Sequence, residues 1–308
     1  MLRNVMLPLD GSGFSELAAP LAISIAKLNA ATLHVVRVHV PTVPTAEVTL
    51  TTNYEELLRE YEQAELERVA AQVRERGLAA AMALLEGPVA FALNAYCDDA
   101  AIDLVVMTTH GRDGLKRLVL GSVAEELVRT SGVPVLLAHP DSRDTAVSFT
   151  PERMGVILVP LDGTVEAESV LPHAVEFALM GNAELLLTKM VVPSFDVAIT
   201  IGPDSLRRYL DHLRDQAEAY LAKVAARLPS DLRVRTAAAT GETAAAGILA
   251  CAEREKADLI AMVTHGRRGW QRIALGSVAE SVTRNASMPV LLVRLVASTA
   301  HADVQAAG

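Results

Sequence analysis

Leu104-Val105-Val106-Met107-Thr108-Thr109-His110-Gly111-Arg112 runs from an unbroken apolar stretch straight into a glycine, and Leu259-Ile260-Ala261-Met262-Val263-Thr264-His265-Gly266-Arg267 does the same 155 residues later. Apolar residues without polar alternation suit a strand covered on both faces, as in a parallel sheet. After nine intervening residues, Gly111 and Gly266 are followed by Gly121-Ser122-Val123-Ala124-Glu125 and Gly276-Ser277-Val278-Ala279-Glu280, each opening a helical pattern. A strand, a glycine loop and a helix in that order set backbone N–H groups where they converge on an anion. The repetition divides the chain into two copies of one unit.

Outward from this stretch, each copy holds four further strands and three further helices. Val5-Met6-Leu7-Pro8-Leu9-Asp10 and Val156-Ile157-Leu158-Val159-Pro160-Leu161-Asp162 read as first strands, at a shift of 152 residues. Alanine-rich helices follow over 16–29 and 166–180, entered through Ser12 or Thr164 as N-caps, with Gly181-Asn182 as a stop in the second copy. Second strands span 33–40 and 185–192 and break at Pro41 and Pro193. Long surface helices occupy 54–76 and 205–228, and third strands precede Gly87 and Gly241. Third helices run through Cys97 and Cys251, and fifth strands take 133–137 and 288–293. The fold class is α/β: two tandem doubly wound open parallel five-stranded sheets, Rossmann-like. The reading assigns 1–139 to a first domain, 140–153 to a polar linker, 154–297 to a second domain and 298–308 to a disordered tail. Each fifth strand is expected at the edge of its own sheet, where an unpaired ladder attracts partners.

At 308 residues the chain is long enough for two cores. A net charge of −9 and few clustered cations argue against nucleic acid, whose phosphate backbone needs grouped Lys and Arg. Cys97 and Cys251 are far from any CxxC spacing, which suggests neither a zinc site nor a disulfide framework. The first ten residues are too short an apolar run for a signal-peptide core or a membrane span, so a cytoplasmic address is expected.

In an open parallel sheet, ligands bind outside the carboxyl ends of the strands. There the chain collects Asp10, Val38 and the loop from Thr108 in the first half, and Asp162, Met190 and the loop from Val263 in the second. Gly111 permits close backbone approach, and Gly121-Ser122 opens a helix whose first N–H groups lack partners, a combination suited to a di- or triphosphate. Charge-assisted bonds of roughly 1.5–3 kcal/mol each would hold a nucleotide near micromolar once ordering costs are subtracted. Paired glycines before a helix also serve as a plain tight turn, and Asp10 and Asp162 also serve to cap one. His110 and His265 read as loop anchors rather than catalysts, because no suitable nucleophile accompanies them. Arg112 and Arg267 suit either phosphate contact or a solvated charge.

These motifs, in this order and in both halves, resemble the universal stress protein family, whose ATP-binding members show Gly-x-x-Gly, nine residues, then Gly-Ser or Gly-Thr. The resemblance covers nearly the whole chain and implies the adenine-nucleotide alpha-hydrolase type of fold. It implies ATP or another adenine nucleotide, with or without Mg²⁺, as cofactor. Asp10 and Asp162 would lie near ribose, phosphates and a nucleotide-bound metal, and Pro8 with Val38, or Pro160 with Met190, would border adenine. Gly111, Gly121 and Ser122, or Gly266, Gly276 and Ser277, would cradle phosphate. Leu9, Met107, Arg112 and Val123, with Leu161, Arg267 and Val278, complete the expected contact set. The family's first glycine is replaced by Thr108 in one half and Val263 in the other, which puts β-branched bulk beside the ligand. A Thr108 hydroxyl offsets this and a Val263 methyl does not, so the first site ranks above the second. Opposing this, Asp113 puts a negative charge in the first loop where the second has Arg268.

The leading expectation is a stress-response protein that binds ATP for regulation more than turnover. Its halves would pair within the chain as a pseudo-dimer, and the chain would form a homodimer. A non-binding interaction module and a slow Mg²⁺-dependent ATPase using Asp10 are the alternatives.

Overall fold

The computed structural model describes residues 1–41, 53–109, 120–138, 154–192, 202–264 and 275–295. The linker at 140–153, the tail at 298–308, and His110, Gly111, Arg112, Asp113, His265, Gly266, Arg267 and Arg268 lie outside the described residues.

The first half runs β1 (Asn4–Leu9), α1 (Gly13–Glu16), α2 (Ala19–Asn29), β2 (Thr32–His39), α3 (Asn53–Glu75), β3 (Ala80–Glu86), α4 (Val89–Asp99), β4 (Leu104–Thr108), α5 (Ser122–Thr130) and β5 (Val135–Ala138). The second runs β6 (Val156–Pro160), α6 (Val165–Glu168), α7 (Leu171–Gly181), β7 (Glu184–Val191), α8 (Pro203–Ala225), β8 (Val234–Thr240), α9 (Ala244–Arg254), β9 (Leu259–Val263), α10 (Ser277–Asn285) and β10 (Val290–Val293). Strands pair in the order β3-β2-β1-β4-β5-β10-β9-β6-β7-β8. Ladders within each half are parallel, whereas β5 and β10 meet antiparallel, with Val290 opposite Leu137 and Leu292 opposite Val135. The two five-stranded sheets therefore continue into one another, and β3 and β8 form the outer edges.

Alternate strand residues feed two apolar layers. Val5, Leu7, Val35 and Leu187 pack with Ile25, Leu66, Phe177 and Leu221 on one face. Met6, Val36, Val105 and Leu158 pack with Leu93, Leu127, Ile248 and Val282 on the other. Both layers run through both halves, so helices cover the sheet on each side, as the continuous apolar strands require.

The first helix of each half departs from expectation: it is two pieces, broken between Glu16 and Ala19 and between Glu168 and Leu171. Pro20 and Pro172 lie at the second position of the second pieces, within the first turn, where a missing N–H costs nothing. Continued helix would drive each ring into the carbonyl one turn earlier. The residue that turns left-handed after α7 is Asn182, at φ 49°, with Gly181 still helical, and Ala30 does the same after α2 at φ 51°.

Candidate functional site

β1 stays in register with β2 as far as Leu9 opposite Arg37, but it pairs with β4 only at Val5–Leu104 and Met6–Val105. β6 likewise meets β9 only at Ile157–Leu259 and Leu158–Ile260. Each pair therefore parts towards its carboxyl end, at the point where strand order reverses, and a crevice opens there. Pro8 and Pro160, two residues past the last pairs, have no N–H with which to continue the ladder. Pro8, Leu9 and Asp10 lie at the carboxyl end of β1 and Met107 and Thr108 at that of β4; Pro160, Leu161 and Asp162 lie at the carboxyl end of β6, and Met262 and Val263 at that of β9. Val38 and Met190, near the ends of the neighbouring strands, are half-buried and pack against the layer under α4 and α9.

Both acids are built into turns. Asp10 Oδ1 accepts from the Ser12 amide at 2.8 Å and its hydroxyl at 2.5 Å, and Ser12 Oγ then accepts from the Ser15 amide at 3.2 Å to cap α1. Asp162 Oδ1 accepts from the Thr164 amide at 2.9 Å and hydroxyl at 2.5 Å, and Thr164 caps α6 through the Ala167 amide. Gly11 at φ 80° and Gly163 at φ 94° supply the left-handed step between acid and cap. The capping role of Asp10 and Asp162 is thus present, and it fixes each carboxylate at the mouth of its crevice.

Across the mouth, the Gly121 amide donates to the Thr109 carbonyl at 2.7 Å and the Gly276 amide to the Thr264 carbonyl at 2.9 Å. Gly121 and Gly276 are the N-cap residues of α5 and α10, and among the described residues no side chain caps either helix. Ser122 and Ser277 are exposed, and Val123 and Val278 are half-buried. Each helix thus begins at the end of the sheet that carries the acid, with an exposed serine at its first position. Thr108 is 4% exposed and Val263 7%, and Val263 belongs to the apolar layer under α2 and α7. Its methyls serve the core.

Two cations at this end of the sheet were not singled out from sequence. Arg37 on β2 and Lys189 on β7 stand at the shift of 152 residues that relates Asp10 to Asp162. A charged residue amid Leu33–Val38, repeated in the second copy, was the available signal. Arg37 is 5% exposed and its Nη2 donates to Glu62 Oε1 at 3.0 Å; Glu62 Oε2 lies 2.7 Å from His39 Nδ1. Lys189 Nζ donates to the Asp162 carbonyl and sits 5.1 Å above the Tyr220 ring. The cysteines play no part in the crevice: burial pushes the Cys97 thiol up to about 12 and raises that of Cys251, so neither supplies a thiolate. Among the described residues no group of three or more His, Cys, Asp or Glu is arranged to hold a metal ion. No described helix is long and apolar enough to cross a membrane.

The profile of the universal stress protein family matches residues 1–139 and 154–294. A universal stress protein of Methanocaldococcus jannaschii is 33% identical over 147 residues, covering 47% of this chain and 86% of the relative. One of Mycolicibacterium smegmatis is 27% identical over 197 residues, covering 62% of this chain, and the match spans 61% of that relative's length. In three dimensions, a universal stress protein from Archaeoglobus fulgidus superposes with a TM-score of 0.67 at 22% identity, covering 94% of this chain and 98% of its own. That likeness extends the shared fold across both halves. With duplicated α/β units, paired strand-end acids and matching profiles over both, this chain belongs to the universal stress protein family.

Proposed function

We propose that this protein binds an adenine nucleotide, ATP foremost, in the crevice of one or both halves, and that binding serves regulation more than turnover. The observation that carries the reading is the parting of β1 from β4 after Met6, beside an α5 N-terminus with no side-chain cap among the described residues. An acid at one strand end and a helix N-terminus at the same end of the sheet suit a ribose and a phosphate chain. Pro8, Leu9, Asp10, Val38, Met107, Thr108, Gly111, Arg112, Gly121, Ser122 and Val123 form the first site. Pro160, Leu161, Asp162, Met190, Val263, Gly266, Arg267, Gly276, Ser277 and Val278 form the second. Asp10 and Asp162 would face a Mg²⁺ carried in by the nucleotide. The β5–β10 ladder joins the halves as a pseudo-dimer within the chain, with 140–153 as the linker, and a homodimer of such chains in the cytoplasm completes the reading.

A second reading, an interaction module without nucleotide, draws on the use of both acids as caps of their own turns. Calorimetric titration of the full chain with ATP and Mg²⁺, beside native mass spectrometry of the purified protein, separates the two. Binding at micromolar nucleotide, or co-purified adenine nucleotide, supports the first; no heat at millimolar ATP supports the second. Release of phosphate that is lost in Asp10→Ala would add slow hydrolysis to the first.

A further inference from the structure

The Arg37 side chain is buried against the one residue of the acid turn that has no side chain. A Cβ on Gly11 would stand 2.6 Å from Arg37 Nη1 and 2.9 Å from its Cζ. Gly11 is therefore excluded from substitution twice, by its φ of 80° and by the guanidinium behind it. Nη1 is fully buried and, among the described residues, has no hydrogen-bond partner. Nη2 is held by Glu62, itself 5% exposed, and Glu62 is held in turn by His39, whose other ring nitrogen lies 3.1 Å from Glu55 Oε2. A buried ion pair is a poor device for stability alone, because desolvation offsets its attraction and an apolar pair would serve as well. What it fixes is geometry: α3, through Glu62, holds a rigid cation behind the Asp10–Gly11–Ser12 turn.

The second half repeats the arrangement with different chemistry. Lys189 Nζ reaches the carbonyl of Asp162, the residue that precedes Gly163, and is held over the Tyr220 ring on α8; the Tyr220 hydroxyl donates to Glu168 at 2.9 Å. Two unlike cations at one position of the repeat, both at the back of the acid turn and both held by the long helix, have that turn as their common object.

From this we infer that Arg37 and Lys189 are positioning residues: each braces the acid-bearing turn from behind, so that Asp10 and Asp162 keep their place at the mouth of the crevice. The role given to the acids rests on the nucleotide reading; the brace itself does not. In the first half the brace also links the α3 side chains Glu62 and Glu55 to the turn, a path the second half replaces with Tyr220.

Hydrogen exchange over residues 9–17 of the full chain without nucleotide, followed by ATP titration, tests both levels. In Arg37→Met the Ser12 and Ser15 amides are expected to exchange about ten-fold faster or more, as the turn loses the cation packed behind Gly11, and ATP affinity in the first half is expected to fall by a similar factor. Arg37→Lys, which reproduces the second half's choice, should restore exchange to within about three-fold, a rescue that a merely volume-filling role would not require. If Arg37→Met does not fold, Lys189→Met with exchange read over 162–167 makes the same comparison. Unchanged exchange in the folded Met variant overturns the brace, whatever the protein binds. A wild-type chain that ignores ATP while the Met variant exchanges faster overturns the nucleotide reading and upholds the brace.

Discussion

The Gly121 amide and the Thr109 carbonyl close the glycine loop at its neck, 2.7 Å apart, so the chain leaves β4 and enters α5 at one point. Gly276 and Thr264 repeat the closure at 2.9 Å. Gly121 holds φ −59° and ψ 145°, a conformation open to any residue, so the fold alone does not require glycine there. Gly121→Ala should therefore cost no more than about 1 kcal/mol, the scale of an altered N-cap. If the backbone at this neck approaches a phosphate, the same change should weaken ATP binding about ten-fold or more, one lost charge-assisted contact. Thermal unfolding and calorimetry on one sample read the two effects apart. A large loss of stability with unchanged affinity would assign the glycine to the fold.

At the amino ends of the strands, Asp103 Oδ2 accepts from the Arg3 and Asn4 amides at 2.6 and 2.9 Å, and Asp258 Oδ2 accepts from Gly155 and Val156 at 2.7 and 3.1 Å. Each carboxylate ties the start of the first strand of its half to the turn before the fourth. Asp258→Ala should lower stability by about 2 kcal/mol, the scale of charged hydrogen bonds. Nucleotide affinity should stay unchanged, because the tie lies a strand's length from the crevice. Urea unfolding with and without ATP measures both; an affinity loss larger than the stability loss would show that the two ends are coupled.

The parallel strands were legible because burial on both faces leaves an unmistakable apolar run, as at Leu104–Thr108 and Leu259–Val263. Pro20 and Pro172 were in plain view, yet the helical period on either side of them hid the break. The acid turns were legible from Asp10-Gly11-Ser12 and Asp162-Gly163-Thr164, where an acid, a glycine and a hydroxyl name a turn by their chemistry. Arg37, Glu62 and Lys189 were not, since their roles depend on where β2 and β7 meet the long helices, contacts between residues 25 or more apart in sequence, Arg37 with Glu62 and Lys189 with Tyr220. The replacement of a glycine by Val263 reads on paper as an obstruction, while in the fold its side chain joins the core layer. Sequence spacing does not report side-chain direction at a strand end.

Stability should fall on mild acidification. His34 is buried on β2 with Nδ1 2.9 Å from the Tyr96 hydroxyl and Nε2 3.2 Å from Asn4 Oδ1, and burial holds its imidazole below the ordinary value of 6.5. His173 on α7 is lowered by burial too, with Glu176 opposing. A lowered histidine binds its proton more weakly in the folded chain than in the unfolded one, so its contribution is complete above 6.5 and is lost as pH drops through the lowered value. The unfolding free energy from urea titrations should decline between pH 7 and 5 by no more than about 1.4 kcal/mol per pH unit for each proton. His34→Gln should flatten that decline; an identical slope in the variant would remove His34 as its source.

Two glycines bring α9 against the end of β8 and the half-two crevice. A Cβ on Gly241 would stand 2.7 Å from Gly247 Cα and 2.9 Å from the Thr243 carbonyl, both backbone, whereas one on Gly247 would meet the Met190 sulfur at 2.7 Å. Backbone has nowhere to move, so Gly241→Ala should destabilise by about 2–3 kcal/mol, the upper range of overpacking. Methionine repacks readily, so Gly247→Ala should cost about 1 kcal/mol. Its larger effect should fall on Met190, a candidate border of the second nucleotide site, and hence on the weaker phase of an ATP titration. Pairing Gly247→Ala with Met190→Ala tests the route, since removing the sulfur that the new methyl strikes should restore stability to within about 0.5 kcal/mol of Met190→Ala alone. If the two changes simply add, the methyl strains something other than Met190.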